Sequence, residues 1–230
     1  MKLNTGRDDL IPVENWVTPE EIEGETNVLK SPMMEIAFQK ILEDFVPKSE
    51  VSFLSLCTST RPYSKSYKWK RIMNDFNSFF NIKFDYIVGS NGGIIPEQYW
   101  YSYPYLTYDA HRESDTDELY KEYFERRLTQ FFERFHYKIV FADFRPSQRN
   151  REVVEKVLPK LKNQGKIDDF FISPSLDVWK RMKKDGFMNI QYEGIKSCSL
   201  MYPTFHPYSY HELISEIKKI DIKNSSLDLF

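Results

Sequence analysis

The segment Ser55–Trp69, "SLCTSTRPYSKSYKW", combines a thiol, a guanidinium and hydroxyl-bearing side chains directly after an apolar run. A thiolate is a strong nucleophile, and neighbouring cations lower the pKa of a thiol. We therefore predict a nucleophile with a lowered pKa at Cys57, and an electrostatic anchor for its substrate at Arg61. Because free cysteines are often small buried residues, a core position is the alternative for Cys57.

The same segment becomes basic towards its end, at Lys65, Lys68, Lys70 and Arg71. These residues are either a local patch for phosphate groups or the solvated face of a helix. The hydroxyls of Tyr63 and Ser66 are candidates for contacts to a base or a phosphate. Ser66 could equally cap the helix that follows.

Composition places this segment in a soluble globular protein. The chain has 230 residues, 41% hydrophobic and 29% charged, which suits one domain with one sizeable core. A net charge of -2 provides no overall attraction to nucleic acid, so we expect weak unaided tRNA binding. Two distant cysteines, no signal-peptide pattern and no membrane-length apolar run favour a reduced, cytoplasmic compartment without membrane contact.

Strand and helix patterns alternate along the chain. Strands are predicted at 51–56, 84–88, 137–143 and 169–173, and helices at 32–46, 66–80, 114–135, 151–163 and 175–184. The alternation predicts an α/β protein, a three-layer α/β/α sandwich with a mainly parallel sheet.

The ends of the chain depart from this pattern. Residues 1–30 form a predicted acidic N-terminal arm, and residues 31–230 a single domain whose motif-bearing core is 50–175. After residue 187 we predict an irregular extension with a possible strand at Met188–Tyr192. A last helix is expected at 211–220, capped by Ser209 with Glu212.

Parallel strands bind ligands beyond their carboxyl ends. The polar segments there, which we expect to converge on one rim, are 57–66, 90–97, 143–149 and 173–175. Arg145 is a candidate phosphate contact, with an ordinary solvated loop residue as the alternative. Glycines at 89, 92 and 93 predict a turn with positive φ beside a ligand. Neither glycine-rich nucleotide motif is present, and His and Cys lack ligand spacing, so no cofactor or metal is expected.

Two ordered motifs resemble the archaeosine synthase family, in its middle domain. The first is C-x3-R-P-Y-x2-S, which matches at Cys57, Pro62, Tyr63 and Ser66. The second lies in "GSNGGIIPEQYWYSYPYLTYDAH", which matches at Ser90, Gly93, Pro96, Glu97, Tyr103, Pro104, Tyr108 and Asp109. The resemblance implies a uracil-DNA-glycosylase-like fold.

The resemblance also implies an activity: conversion of the nitrile of a 7-cyano-7-deazaguanine base in tRNA, with lysine as the amine donor. In this chemistry Cys57 is the candidate nucleophile, and Glu97 or Asp109 the acid–base or amine-binding carboxylate. The candidate substrate contacts are Arg61, Tyr63, Ser66, Ser90, Gly93, Tyr108 and Arg145. The expected partners are tRNA or the modified base, and a protein supplying the RNA-binding module that family members carry.

Three positions depart from the family motif. Leu56 stands where the family has Pro, Arg61 where it has Lys, and Trp69 where it has His. Arginine does not deprotonate, and the Trp69 position lacks an imidazole. Two alternatives therefore accompany the synthase function: a catalytically inactive base- or tRNA-binding partner subunit, and a glycosylase-like enzyme acting on a modified base.

Overall fold

The structure, a computed structural model, describes residues 9–17, 28–107, 117–192, 195–199 and 202–227. Four features singled out in the sequence lie outside the described residues: the acidic stretch 20–25, Tyr108, Asp109 and Ser114.

A five-stranded sheet is the central layer of the described part. Its strands are β1 (Val51–Leu56), β2 (Asp85–Ser90), β3 (Gly93–Pro96), β4 (Tyr137–Asp143) and β5 (Ile167–Ser173). The order across the sheet is β3-β2-β1-β4-β5, with only β3 antiparallel to its neighbour among these strands. The apolar runs of β1 and β2 are buried almost throughout, as expected for central strands covered on both faces.

Six α-helices are described. They are α1 (Pro32–Asp44), α2 (Tyr67–Phe79), α3 (Asp117–Arg134), α4 (Arg149–Asn163), α5 (Leu176–Asp185) and α6 (Pro207–Leu227). None of the described helices is long and apolar enough to cross a membrane.

The helices cover both faces of the sheet. On one face α3 packs against α4 and β3, and Phe124 of α3 approaches so close to Gly89 that a Cβ there would lie 2.9 Å from its ring. On the other face α2 packs on β1, where the rings of Phe53 and Phe76 are 5.1 Å apart. Helix α6 joins this layer through Tyr210, whose hydroxyl donates to Asp75 of α2 at 2.9 Å. The predicted three-layer α/β sandwich is confirmed.

In the C-terminal region the strand predicted at 188–192 is confirmed, and the last helix differs from the prediction. Strands β6 (Asn189–Tyr192) and β7 (Ile195–Cys198) form a separate antiparallel pair. The last helix begins at Pro207, so Ser209 lies inside it and is not its cap. Glu212 instead accepts a hydrogen bond from the backbone N–H of Ser175 at 3.0 Å, and Ser209 Oγ lies 3.2 Å from Ser173 Oγ. These contacts bind α6 to the carboxyl end of β5.

Candidate functional site

Strand β1 lies at the topological switch point of the sheet. After β1 the chain adds β2 on one side, and later adds β4 on the other. In open α/β sheets ligands bind in the crevice beyond the carboxyl ends of strands at such a point. Cys57 lies at this edge, directly after β1, and its backbone N–H donates to the carbonyl of Gly89 at 3.2 Å.

Cys57 is half-buried as a residue. Burial raises its pKa, and the positive charges of Arg61 and Lys68 oppose this effect without overcoming it. The predicted lowered pKa of Cys57 is therefore wrong. A nucleophilic role would require a group that removes the thiol proton.

Lys68 is buried against the carboxyl end of β1, where its Nζ reaches the carbonyl of Leu56, the residue before Cys57. Its side chain is 3% exposed, and its ammonium donates to Ser55 Oγ at 2.5 Å and to the carbonyl of Leu56 at 3.3 Å. Burial lowers the pKa of Lys68, while the negative charges of Asp143 and of a Cys57 thiolate oppose the shift. Both sequence interpretations, phosphate patch and solvated helix face, are wrong for Lys68.

The other basic residues of the segment lie apart from this arrangement. Lys65 and Lys70 are exposed, and Arg71 is half-buried, with Nε 3.6 Å from Asp75 Oδ2.

Asp143 ends β4 next to β1, in register with Ser55. Ser55 Oγ lies 2.9 Å from Asp143 Oδ2 and 3.0 Å from its carbonyl oxygen, and Lys68 Nζ lies 3.6 Å from Oδ2. Within the described residues, the buried Oδ1 of Asp143 has no hydrogen-bond partner. The carboxylate therefore retains a free acceptor.

Tyr202 brings the C-terminal region to the same place. Lys68 Nζ lies 5.5 Å from the centroid of its ring. Burial raises the pKa of Tyr202, and a negative charge on Cys57 adds to that effect. We call Ser55, Cys57, Lys68, Asp143 and Tyr202 the Cys57 cluster.

Arg61 and Tyr63 form a cation–π pair near the end of the loop that follows β1. The guanidinium carbon of Arg61 lies 4.3 Å from the centroid of the Tyr63 ring, and the guanidinium also donates to the carbonyl of Thr58. Tyr63 is fully buried, with its ring centroid 5.8 Å from that of Trp100. Arg61 is thus close enough to influence Cys57, whereas the Tyr63 ring is part of the core.

Ser66 and Trp69 have structural contacts in the first turn of α2. Ser66 caps the helix by accepting a hydrogen bond from the backbone N–H of Trp69 at 3.3 Å. Trp69, where the family motif has His, is fully buried between the rings of Phe53, Tyr86 and Trp100. This position is a core position in the present chain.

The turn between β2 and β3 lies at the carboxyl edge of β2. Ser90 Oγ accepts a hydrogen bond from the backbone N–H of Gly92 at 3.0 Å. Gly93 has the predicted positive φ, 109°, which favours glycine. A Cβ at Gly93 would lie 3.4 Å from the hydroxyl of Tyr123, so this turn packs against α3.

Glu97 is separated from Cys57 by the length of β3. Because β3 runs antiparallel to β2, with Pro96 paired to Ile87, it carries the chain back towards the amino ends of the parallel strands. There Glu97 Oε1 lies 3.8 Å from Nζ of Lys48, which precedes β1. The expected convergence of the four polar segments on one rim is therefore wrong for Glu97.

Two further segments do reach the edge that holds Cys57. Arg145 follows β4 and is half-buried, with its backbone N–H donating to Gln148 Oε1 at 3.1 Å. Ser175 follows β5 and caps α5 by accepting from the backbone N–H of Val178. The described residues contain no group of three or more His, Cys, Asp and Glu side chains placed to hold a metal ion.

Sequence reasoning missed Ser55 and Tyr202 as members of the site. It included Asp143 only as the first residue of a rim segment and Lys68 only as part of a basic run, without a role for either beside Cys57. A signal for Lys68 was present, because it precedes Ile72 by one helical turn and Phe76 by two. That spacing places the lysine on the buried face of α2. The approach of Tyr202 depends on how the C-terminal region packs, for which no local pattern exists.

Comparison with known proteins adds a family and one similar structure. Residues 35–169, more than half of the chain, match the family described as Domain of unknown function (DUF5591). The crystal structure of AF0587, a protein of unknown function, is similar with 20% identity and a TM-score of 0.44, over 64% of this chain and 48% of that one. The chain thus spans about half the length of that protein. No curated protein matches. On the strength of the family match, the chain belongs to the DUF5591 family.

Proposed function

We propose that this chain is an archaeosine-synthase-like protein of tRNA 7-deazaguanine modification. It converts, or assists in converting, the nitrile of a 7-cyano-7-deazaguanine base with an amine donor such as lysine. The observation that carries the proposal is the location of Cys57. This half-buried residue lies beyond β1, at the strand where the sheet order reverses, and its thiol is influenced by two cationic side chains.

The chemistry proceeds in two covalent steps. The sulfur of Cys57 bonds to the nitrile carbon, one π bond of the nitrile breaks, and its nitrogen takes a proton to give a thioimidate. The amine donor then attacks the same carbon and loses a proton, and the thiol leaves with a proton. The product is a substituted amidine, and no electrons are gained or lost.

The sequence motifs support the same proposal. Cys57, Pro62, Tyr63 and Ser66 keep the spacing of the archaeosine synthase motif. Two of these residues shape the loop that presents Cys57: Tyr63 is buried in the core, and Ser66 caps α2.

A second candidate function is a base- or tRNA-binding partner subunit without catalysis. Trp69 favours it, because the position of the motif histidine is filled by an indole inside the aromatic core. Such a protein would keep the shape of the loop and rely on a partner chain for the reaction.

Nucleoside mass analysis of tRNA bearing the 7-cyano base, after incubation with this protein and lysine, tests the proposal. We expect a mass gain corresponding to one added lysine, which is lost in Cys57→Ala and kept in Cys198→Ala, the variant that removes the other thiol. Full conversion by Cys57→Ala would contradict the proposal. Binding of the tRNA without conversion would favour the partner subunit, and release of free base would favour the glycosylase.

A further inference from the structure

Lys68 is held in a way that is unusual for a buried lysine. Buried ammonium groups are normally paired closely with a carboxylate. Here the shortest contact of Nζ is 2.5 Å to the hydroxyl of Ser55, and the carboxylate of Asp143 is farther away, at 3.6 Å. Ser55 therefore stands between the two charges, accepting from the ammonium and donating to the carboxylate.

The position of the cluster in the fold connects it to ligand binding. Ser55 and Asp143 are paired residues at the carboxyl ends of neighbouring parallel strands, which is the edge that carries Cys57. The buried Oδ1 of Asp143 has no hydrogen-bond partner among the described residues. Since buried carboxylate oxygens are nearly always paired, this atom is an unsatisfied acceptor within the cluster.

We propose that Lys68 is the acid–base residue of the Cys57 site, with its amine accepting the thiol proton and returning it to the substrate. This inference rests on the proposed role of Cys57 as a nucleophile. Ser55 and Asp143 act as positioning residues, because they fix the amine on the buried face of α2.

The proton follows a closed path. In its deprotonated form, which burial of the side chain favours, the Lys68 amine takes the proton of the Cys57 thiol and becomes an ammonium, and the thiolate then bonds to the nitrile carbon. The π electrons of the broken bond move to the nitrile nitrogen, which takes a proton from the ammonium. Lys68 is neutral again, and it can serve the departing thiol in the same way when the amine donor displaces it.

The environment of the two groups favours this exchange. Burial lowers the pKa of Lys68 and raises the pKa of Cys57, which brings the two proton affinities closer together. The charged or titratable groups around the pair are Arg61 from the loop after β1, Asp143 from β4 and Tyr202 from the segment before α6. Because the two groups interact, we expect them to titrate as a pair.

The first test is the rate at which iodoacetamide alkylates Cys57 as a function of pH, with the modified cysteine assigned by peptide mass mapping. In Lys68→Met the rate at pH 7.5 should fall by about tenfold or more, and the midpoint of the profile should move to higher pH by at least about one unit. Lys70→Met is the matched control, since Lys70 is exposed on the same helix, and its profile should equal that of the wild type.

Two further variants keep the test decisive if Lys68→Met folds poorly. The double variant Lys68→Met/Asp143→Asn removes both charges of the buried pair, so no unpaired carboxylate remains. It should show the same loss of alkylation. Lys68→Arg keeps the charge but cannot exchange a proton, so it should retain alkylation of Cys57 and lose conversion of the nitrile.

The outcomes separate this inference from the proposed function. Unchanged alkylation in both Lys68→Met and the double variant overturns the inference, as does full nitrile conversion by Lys68→Arg. If the wild type shows the predicted Lys68-dependent alkylation but does not convert the 7-cyano base, Lys68 is the base of Cys57 and the proposed substrate is wrong.

Discussion

Two buried cations, Arg127 and Lys68, lie on opposite faces of the sheet and are held differently. The Arg127 side chain is 1% exposed, and its guanidinium binds the carboxylate of Glu35 through both terminal nitrogens, at 2.7 and 3.2 Å. It also lies 4.2 Å from the centroid of the Phe38 ring. Lys68 has no such fork, and a serine hydroxyl separates it from its carboxylate.

The difference indicates which buried charge is structural. Arginine stays protonated, and its fork and flat face match a carboxylate and a ring, so Arg127 joins α1 to α3 as a fixed cation. Lysine can release its proton when it is buried, and burial lowers the pKa of Lys68, which lies against the Leu56 carbonyl at the edge where open α/β sheets generally bind ligands.

Lys68→Met should lower the free energy of unfolding by about 3 kcal/mol, because it leaves the buried Asp143 carboxylate without its cation. Adding Asp143→Asn should restore most of this loss, since replacing a buried pair is often neutral. Urea denaturation of the two single variants and the double variant measures the coupling. Additive losses would show that the two side chains do not stabilise each other.

Arg127→Met should lower the free energy of unfolding by about 2 kcal/mol through loss of its hydrogen bonds to Glu35 and its contact with the Phe38 ring. Its alkylation profile at Cys57 should equal that of the wild type. Arg126→Met is the control, because Arg126 is half-exposed and contacts the same carboxylate. A change in Cys57 reactivity in Arg127→Met would remove the contrast between the two cations.

Ser66→Ala should lower the free energy of unfolding by about 1 kcal/mol through loss of the cap of α2. Because Lys68 lies in the first turn of that helix, the variant also tests how firmly the amine is held. Thermal unfolding gives the stability, and iodoacetamide gives the reactivity of Cys57. We expect the alkylation rate to stay near the wild-type value, and a loss as large as that of Lys68→Met would assign Ser66 to the site itself.

Glu35 should give a small dependence of stability on pH. Partial burial raises its pKa, but the hydrogen bond from Gln39 and the charges of Arg127 and Arg126 outweigh this and hold the pKa below its usual value. A lowered pKa contributes stability above the unfolded-state pKa, about 4.3, and this contribution is lost as the pH falls through the folded-state value. Urea denaturation at pH 6, 4 and 3 should show that the free energy of unfolding falls less with pH in Glu35→Gln than in the wild type. An identical fall in both proteins would exclude Glu35 as a source of the pH dependence.

Local patterns predicted the parallel part of the sheet because each strand is an apolar run followed by polar residues. Val51–Leu56 and Tyr137–Asp143 occur where they were predicted. The location of Cys57 at the carboxyl edge followed from the same pattern. The position of Glu97 was predicted wrongly because β3 was not recognised. Its four residues follow the glycine turn without a strand pattern of their own, and β3 runs antiparallel to β2, away from the edge that holds Cys57.

The pKa of Cys57 could not be predicted from neighbouring residue types. The sequence shows several cations near the thiol, but the sign of the shift depends on burial, which outweighs Arg61 and Lys68. The role of Lys68 was hidden for the same reason. A lysine in a basic run suggests a solvent-exposed side chain, and only its spacing to Ile72 and Phe76 places it on the buried face of α2.

The most direct test of the central claim is the intact mass of the protein after incubation with 7-cyano-7-deazaguanine and no amine donor. The proposed chemistry predicts a covalent adduct with the mass of one base, assigned to Cys57 by peptide mapping. Cys57→Ala should lack it, Lys68→Met should form it at least about tenfold more slowly, and Lys70→Met should match the wild type. An adduct that persists in Cys57→Ala, or the absence of any adduct in a wild-type protein that binds the base, would contradict the assignment of Cys57 as the nucleophile.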